Sequence, residues 1–301
     1  MNENTKGSLF LFLAALIWGS SFVSQSAAMD YIGPFTFNAC RSFVGFLVLI
    51  PIFMIFRKTS LKEKPLSKEE ERALNKRSMI ASIFCGLALV IATSFQQVGI
   101  SMTTAGKAGF ITALYIIMVP ILSIFLGRKI PLIIWVCAVV SLVGFYFLCV
   151  QEDFSLGQGD FYCLICALCF SIQIMTIDYF TKRENFVDPV MLSMNQFFVV
   201  GVVSLILTFV FETPDISAII KAGGSILYAG ALSSGIAYTF QILGQKHTSP
   251  AVAPLIMSLE SVFAVLFGWL LLGESMNSRE ILGCFLVFTA VMMSQIPFKE
   301  R

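Results

Sequence analysis

Charge is scarce in this sequence. Only 13% of its 301 residues are Asp, Glu, Lys or Arg, where a soluble domain carries about 25%. So little charge cannot coat a water-exposed surface, which excludes an ordinary soluble domain. Histidine is scarcer still, His247 being the only one. A lone imidazole beside Lys246 provides neither a His-based metal site nor a nucleophile–base pair. No H-E-x-x-H, G-x-S-x-G or G-x-x-x-x-G-K-[ST] occurs, so metalloprotease, α/β-hydrolase and P-loop ATPase chemistry have no residues to use. The chain reads as a non-enzyme with no cofactor and no metal. A net charge of +2 creates no field that would gather nucleic acid.

The eight cysteines do not form a disulfide framework, which belongs to short secreted chains. Most lie in apolar stretches, where Cys behaves as a small hydrophobe. Cys163, Cys166 and Cys169 spiral down one broad helix face, but no His stands near them in sequence, so they read as packing residues.

Apolar residues are plentiful. They make up 57% of the chain, including 30 Phe and 13 Met, and the mean hydropathy is +0.86. A bilayer core of ~30 Å takes about 20 apolar helical residues. Ten such runs are found, near 8–29, 34–56, 79–99, 103–127, 131–150, 158–181, 189–211, 220–243, 250–272 and 279–297. The expected fold is an all-α polytopic membrane protein with ten transmembrane helices. Pro34, Pro131, Pro189 and Pro250 stand where helices should start. The first run is longer than the ~7–15 apolar residues of a signal peptide and is read as a span. Ser67 followed by Glu70 reads as a helix cap in the segment 57–78, expected to be a cytoplasmic loop with a short amphipathic linker helix.

Lys and Arg give the orientation. With the amino terminus in the cytoplasm, sixteen of the 20 basic residues fall in cytoplasmic segments, eight of them between Arg57 and Arg77. Only Lys221 and Arg279 fall outside, while Arg41 and Lys107 lie within helices. An even helix count places both termini in the cytoplasm.

The two halves resemble each other. Gly7–Leu16 lies over Gly159–Leu168, Ser94–Gly99 over Thr239–Gly244, and Phe125–Gly127 over Leu271–Gly273. These three matches keep their order, at offsets of 152, 145 and 146. They divide the chain into repeats at 1–150 and 151–301, with five helices each. An odd number inverts the second repeat relative to the first, an arrangement common among secondary transporters.

Several stretches resemble the drug/metabolite transporter superfamily, specifically its EamA-type ten-helix permeases. Leu13–Phe22, with its Trp-Gly, is similar to the family's opening helix, and Pro34–Arg41 to its second-helix motif ending in Arg. Ala105–Pro120 looks like the fourth helix. Ser249-Pro-Ala, Leu259-Glu-Ser-Val and Leu272-Gly-Glu274 look like the ninth. The resemblance runs the length of the chain. One departure is Gly127-Arg128-Lys129, where the family often has a second Gly-Glu. The resemblance implies a permease of the cell (inner) membrane that moves small organic solutes such as amino acids, frequently outward.

A charge at mid-membrane costs ~2.5–3.5 kcal/mol on insertion scales, which makes it a functional candidate. Glu260, ten positions into the ninth run, lies about 15 Å deep. It is the proton-coupling candidate, or a ligand for a cationic group. Arg41 and Lys107 lie nearer the outside, where they could form a positive vestibule. Arg41 reads equally well as scaffold, and Lys107 could snorkel to the interface. Gln96 and its repeat mate Gln241, Tyr115 aligned with Glu260, and Trp18, Asn38 and Gln173 complete the cavity candidates, with Asn195 and Gln196 behind them. Glu274 and Asp178 read as structural, Asp178 within reach of water. Pro120 and Pro254 are expected to bend their helices. Expected partners are a small-molecule substrate and the lipid bilayer. Two halves make a monomer sufficient, with a dimer possible. The alternative is a membrane receptor or scaffold without transport.

Overall fold

Lipid provides no hydrogen bonds, so a chain this apolar must satisfy its backbone within helices. A computed structural model describes residues 3–63, 65–103, 105–149, 157–182, 187–272 and 276–295, and among them every regular element is a helix. In chain order they are α1 (Glu3–Met29), α2 (Pro34–Glu63), α3 (Lys68–Ile100), α4 (Ala105–Thr112), α5 (Tyr115–Phe125), α6 (Leu132–Cys149), α7 (Gln158–Thr181), α8 (Pro189–Phe211), α9 (Ile216–Lys221) and α10 (Gly223–Tyr228). A π-helical segment, Ala229–Ala237, leads into α11 (Tyr238–His247), α12 (Ala253–Met257), α13 (Leu259–Leu272) and α14 (Ser278–Ser294). Among the described residues, seven helical spans are long and apolar enough to cross a membrane, two of them, Ala108–Phe125 and Gly223–His247, running across consecutive elements, and Leu132–Leu148 and Ala253–Phe267 are shorter apolar ones.

Local chemistry sets the helix starts. Pro34 opens α2, and Pro189 opens α8 behind Asp188, whose carboxylate accepts from the amides of Val190 and Met191. Ser67 and Glu70 form the expected reciprocal cap on α3. The segment between the second and third runs differs from expectation. Instead of a separate linker helix, α2 runs on to Glu63 and α3 begins at Lys68. The 33 residues of α3 make it about 50 Å long, so its polar first turns project beyond the ~30 Å apolar core.

Close crossings between helices hold the bundle together. The main pairs are α2 with α8, α3 with α7 and α8, α6 with α14, and α1 with α11 and α13. A Cβ on Gly7 would stand 2.9 Å from the Gly244 carbonyl oxygen, and one on Gly244 equally 2.9 Å from that of Gly7. Gly99 and Gly159 face each other in the same way at 3.1 Å. These are corresponding positions of the two halves, so the same crossing is built twice. Setting Pro34 over Pro189 places Arg41 and Val44 over Gln196 and Val199. Gly230 fits against Arg41 and Val44, and Gly86 against Gln196 and Val199. At the third crossing, Cβ atoms on Gly144 and Gly283 would meet each other's carbonyl oxygens at 2.9 and 2.7 Å.

Charged groups clasp the ends of the bundle. Glu212, just past α8, accepts from the amides of Phe35 and Thr36, both at 2.8 Å, at the start of α2. Toward the other end of α2, Arg57 reaches Asp188, the cap of α8, at 3.3 Å. The two helices therefore run antiparallel, and a carboxylate stands at the first turn of each, Glu212 at α2 and Asp188 at α8. Asp178 was expected to reach water. It is instead fully buried, because Arg128 folds over it after the positive-φ turn at Gly127 and bonds it at 2.7 Å. Lys182 lies 3.9 Å from Asp178 and donates to the Thr248 carbonyl. Burial pulls the Lys182 ammonium below the usual lysine range, and Asp178 opposes that pull. His247 is 27% accessible and bonds Glu3 at 2.8 Å.

Gly283→Ala should destabilise the protein by about 1–3 kcal/mol, because its methyl meets backbone that cannot yield. Gly223→Ala, with open space at that position, should be neutral or slightly stabilising. Thermal unfolding in detergent compares them, and equal midpoints would refute the role given to the Gly144–Gly283 crossing.

Candidate functional site

Polar residues from both halves gather around a cavity of about 50 Å³. One water needs ~10–15 Å³ on this scale, so the space admits a few waters. Helices from both halves line it: Trp18 and Gln25 from α1, Arg41 from α2, Gln96 from α3, Thr112 from α4, Tyr115 from α5, Phe170 and Ile174 from α7, Ser233 from the π segment, Tyr238 and Gln241 from α11, Met257 from α12 and Glu260 from α13.

Breaks in two helices shape this site. The run 103–127 was expected to be one helix bent by Pro120, but its ladder breaks at Ala113 and Leu114, between α4 and α5. Leu114, Ile116 and Ile117 there donate to the third residue back. Pro120 brings no N–H, and its ring crowds the Ile116 carbonyl. The run 250–272 breaks at Ser258, between α12 and α13, and the Ser258 hydroxyl bonds the Leu255 carbonyl at 2.6 Å. Tyr115 and Glu260 sit directly after these breaks. They approach each other, with the Tyr115 hydroxyl donating to Glu260 Oε1 at 3.4 Å. A third departure is the π segment in place of a plain helix over 220–243. Its widened turns carry Ser233 to the cavity while Gly230 keeps α2 close.

The cavity has one guanidinium and one carboxyl among its described side chains. Arg41 is 4% exposed and donates from Nη1 to Gln25 Oε1 at 2.9 Å. Its guanidinium carbon stands 5.3 Å from the centre of the Phe37 ring. Arg41 and Glu260 form no ion pair with each other. Trp18 packs edge-on against Tyr238 with ring centres 4.9 Å apart, and its Nε1 is buried without a protein partner. Gln241 donates to Gln173 at 3.3 Å, leaving its own Oε1 unpartnered.

Of the candidates read from sequence, Trp18, Arg41, Gln96, Tyr115, Gln241 and Glu260 line the cavity. Gln173 stands one bond behind Gln241. Asn38 is fully buried away from the lining and ties α2 to α3 through the Thr93 carbonyl at 3.1 Å. Asn195 and Gln196 also lie off the lining. Lys107 belongs to α4, but its side chain lies outside the described residues, as does Glu274. Sequence reasoning passed over Gln25, Thr112, Ser233 and Tyr238. Only Gln25 left a signal, since it lies two turns from Trp18 on the same helix face. The three cysteines of α7 have no metal partner, and no metal-holding group of side chains occurs among the described residues.

Known proteins resemble this chain along its whole length. The model of the EamA-like transporter family matches twice, at residues 5–150 and 157–295. An uncharacterized transporter of Archaeoglobus fulgidus is 31% identical, over 95% of this chain and 84% of the relative. The uncharacterized transporter YoaV of Bacillus subtilis is 26% identical, over 98% and 99%. A crystal structure at 16% identity superposes with a TM-score of 0.78, covering 97% of both chains, which shows a shared fold.

Asn38 and Gln96 separate scaffold from site. Asn38→Leu should lower thermal stability by on the order of 0.6 kcal/mol, the worth of one interhelical bond, and leave solute selectivity unchanged. Gln96→Leu should alter flux at similar stability. Selectivity that followed Asn38 instead would place the site elsewhere.

Proposed function

This chain belongs to the EamA-like transporter family, and on that footing we propose that it is a secondary transporter exporting small organic metabolites, such as amino acids or related solutes. The observation that carries this reading is the cavity. Arg41, Glu260 and several amides are held inside an apolar bundle, at an expense that packing alone does not justify. Ten spans in two inverted repeats, with both termini in the cytoplasm of a cell bounded by this inner membrane, would place the cavity between the halves. The antiparallel run of α2 and α8 and the glycine crossings built twice support that arrangement.

Transport proceeds by alternating access. The breaks beside Tyr115 and Glu260 are the places where helices bend as the halves rock, since discontinuous helices at the repeat interface commonly frame a transporter's site. Glu260 can exchange a proton as the cavity opens and closes, which couples solute movement to protons. One chain supplies the whole cavity lining, so a monomer suffices.

The test compares metabolites inside and outside cells that express the wild-type protein or Glu260→Gln at equal membrane abundance. A solute that moves outward only with the intact protein establishes export and a functional Glu260. Equal movement by the mutant removes the proton-coupling role. No shift in any solute would favour a receptor or scaffold.

A further inference from the structure

The cavity holds a charge that the protein does not neutralise. Arg57 and Arg128, at the rim of the bundle, are each paired with carboxylates: Arg57 with Glu71 at 3.0 Å and Asp188 at 3.3 Å, and Arg128 with Asp178 at 2.7 Å. Their side chains are 12% and 38% exposed. Arg41 is more deeply buried than either, at 4%, yet it forms no ion pair among the described residues. Its neighbours are the neutral amide of Gln25, itself 5% exposed, and the ring of Phe37.

A neutral amide orients a guanidinium without cancelling its charge. Burying an uncompensated ion is strongly unfavourable, so this arrangement is suited to an incoming anion that supplies the missing charge. The planar fork of a guanidinium matches carboxylate and phosphate oxygens. Arg41, Gln25 and Trp18 all line the cavity. Glu260 stands apart from Arg41, held by Tyr115, and leaves the guanidinium free.

From this geometry we infer that Arg41, oriented by Gln25, receives an anionic group of the transported solute, a carboxylate or a phosphate. Gln25 is then a positioning residue whose neutrality sets the preference for an anion. This inference rests on the transport reading above. In place of Gln25, a glutamate of nearly the same size would pair with Arg41 and occupy the subsite from within.

The experiment takes the solutes whose levels differ between cells with and without the wild-type protein, identifies them by mass spectrometry and sorts them by charged group. Each is expected to carry an acidic group, and carboxylic against phosphorylated solutes distinguishes the two chemistries. Flux is then measured for Gln25→Glu and Gln25→Asn at equal membrane abundance. Gln25→Glu should raise KM by about tenfold or more, the scale of one lost charge-assisted contact, with maximal flux little changed. Gln25→Asn, which keeps a neutral amide but shortens its reach, should raise KM by less than Gln25→Glu does. Transported solutes without an acidic group, or a wild-type KM for Gln25→Glu, would overturn the inference and leave transport standing. If Gln25→Glu does not accumulate, the groups on the wild-type solutes still decide. A wild type that moves no solute fails on transport itself, a result distinct from moving uncharged ones.

Discussion

Lipid offers no hydrogen bonds, so each polar group carried into the bilayer must find its partner within the protein. The architecture follows from that constraint. Many apolar side chains face outward, as the exposed Phe84, Phe209 and Phe285 do, while others such as Phe37 and Phe145 pack the interior. Many amides and hydroxyls and the two cavity charges turn inward, and a bundle that buries them acquires a partly polar interior. The cavity is therefore a consequence of how helices of this composition can be buried at all.

Hiding polar groups requires the helices to stand close, and lipid provides little hydrophobic force to press them together. Glycines make the approach possible. Gly7 against Gly244 and Gly99 against Gly159 bring backbone to backbone, and both crossings join one half to the other at corresponding positions. The crossings are alike, but the charges around them are not. Arg128, Asp178 and Lys182 lock one corner of the bundle. Their counterparts by the repeat offsets, Glu274, Ser26 and Asp30, include no cation. The backbone framework is thus repeated, while this ion-paired corner, which joins Arg128 of the first half to Asp178 of the second, is not.

The interior polar groups divide by partnership. Asn38 has its acceptor in the Thr93 carbonyl and acts as a strut. Asp178 has Arg128. Arg41 and Glu260 have only neutral partners, Gln25 and Tyr115. A side chain whose charge the protein satisfies belongs to the scaffold, and one left uncompensated at a cavity wall is available to a solute. This distinction sets Arg41 apart from the better-paired arginines at the rim.

By itself the sequence determined the solvent, the helical class, the apolar runs, the Pro34, Pro189 and Ser67 helix starts and the lopsided distribution of Lys and Arg, whereas Pro250, expected to start a helix, lies in a turn before Ala253. These are local or compositional properties, readable without knowing which helix touches which. It also picked out Glu260, Arg41, Gln96 and Gln241, because polar residues in apolar runs stand out wherever they point. Only the tertiary structure decided how each helix turns about its own axis. Most of these helices are apolar all round, so periodicity does not reveal the inward face. That rotation set Asn38 behind the cavity and Gln25 against Arg41. Packing also placed the breaks before Tyr115 and Glu260 and widened the turn at Ser233, since the path of a helix around Pro120 or Gly230 depends on the neighbour it must fit.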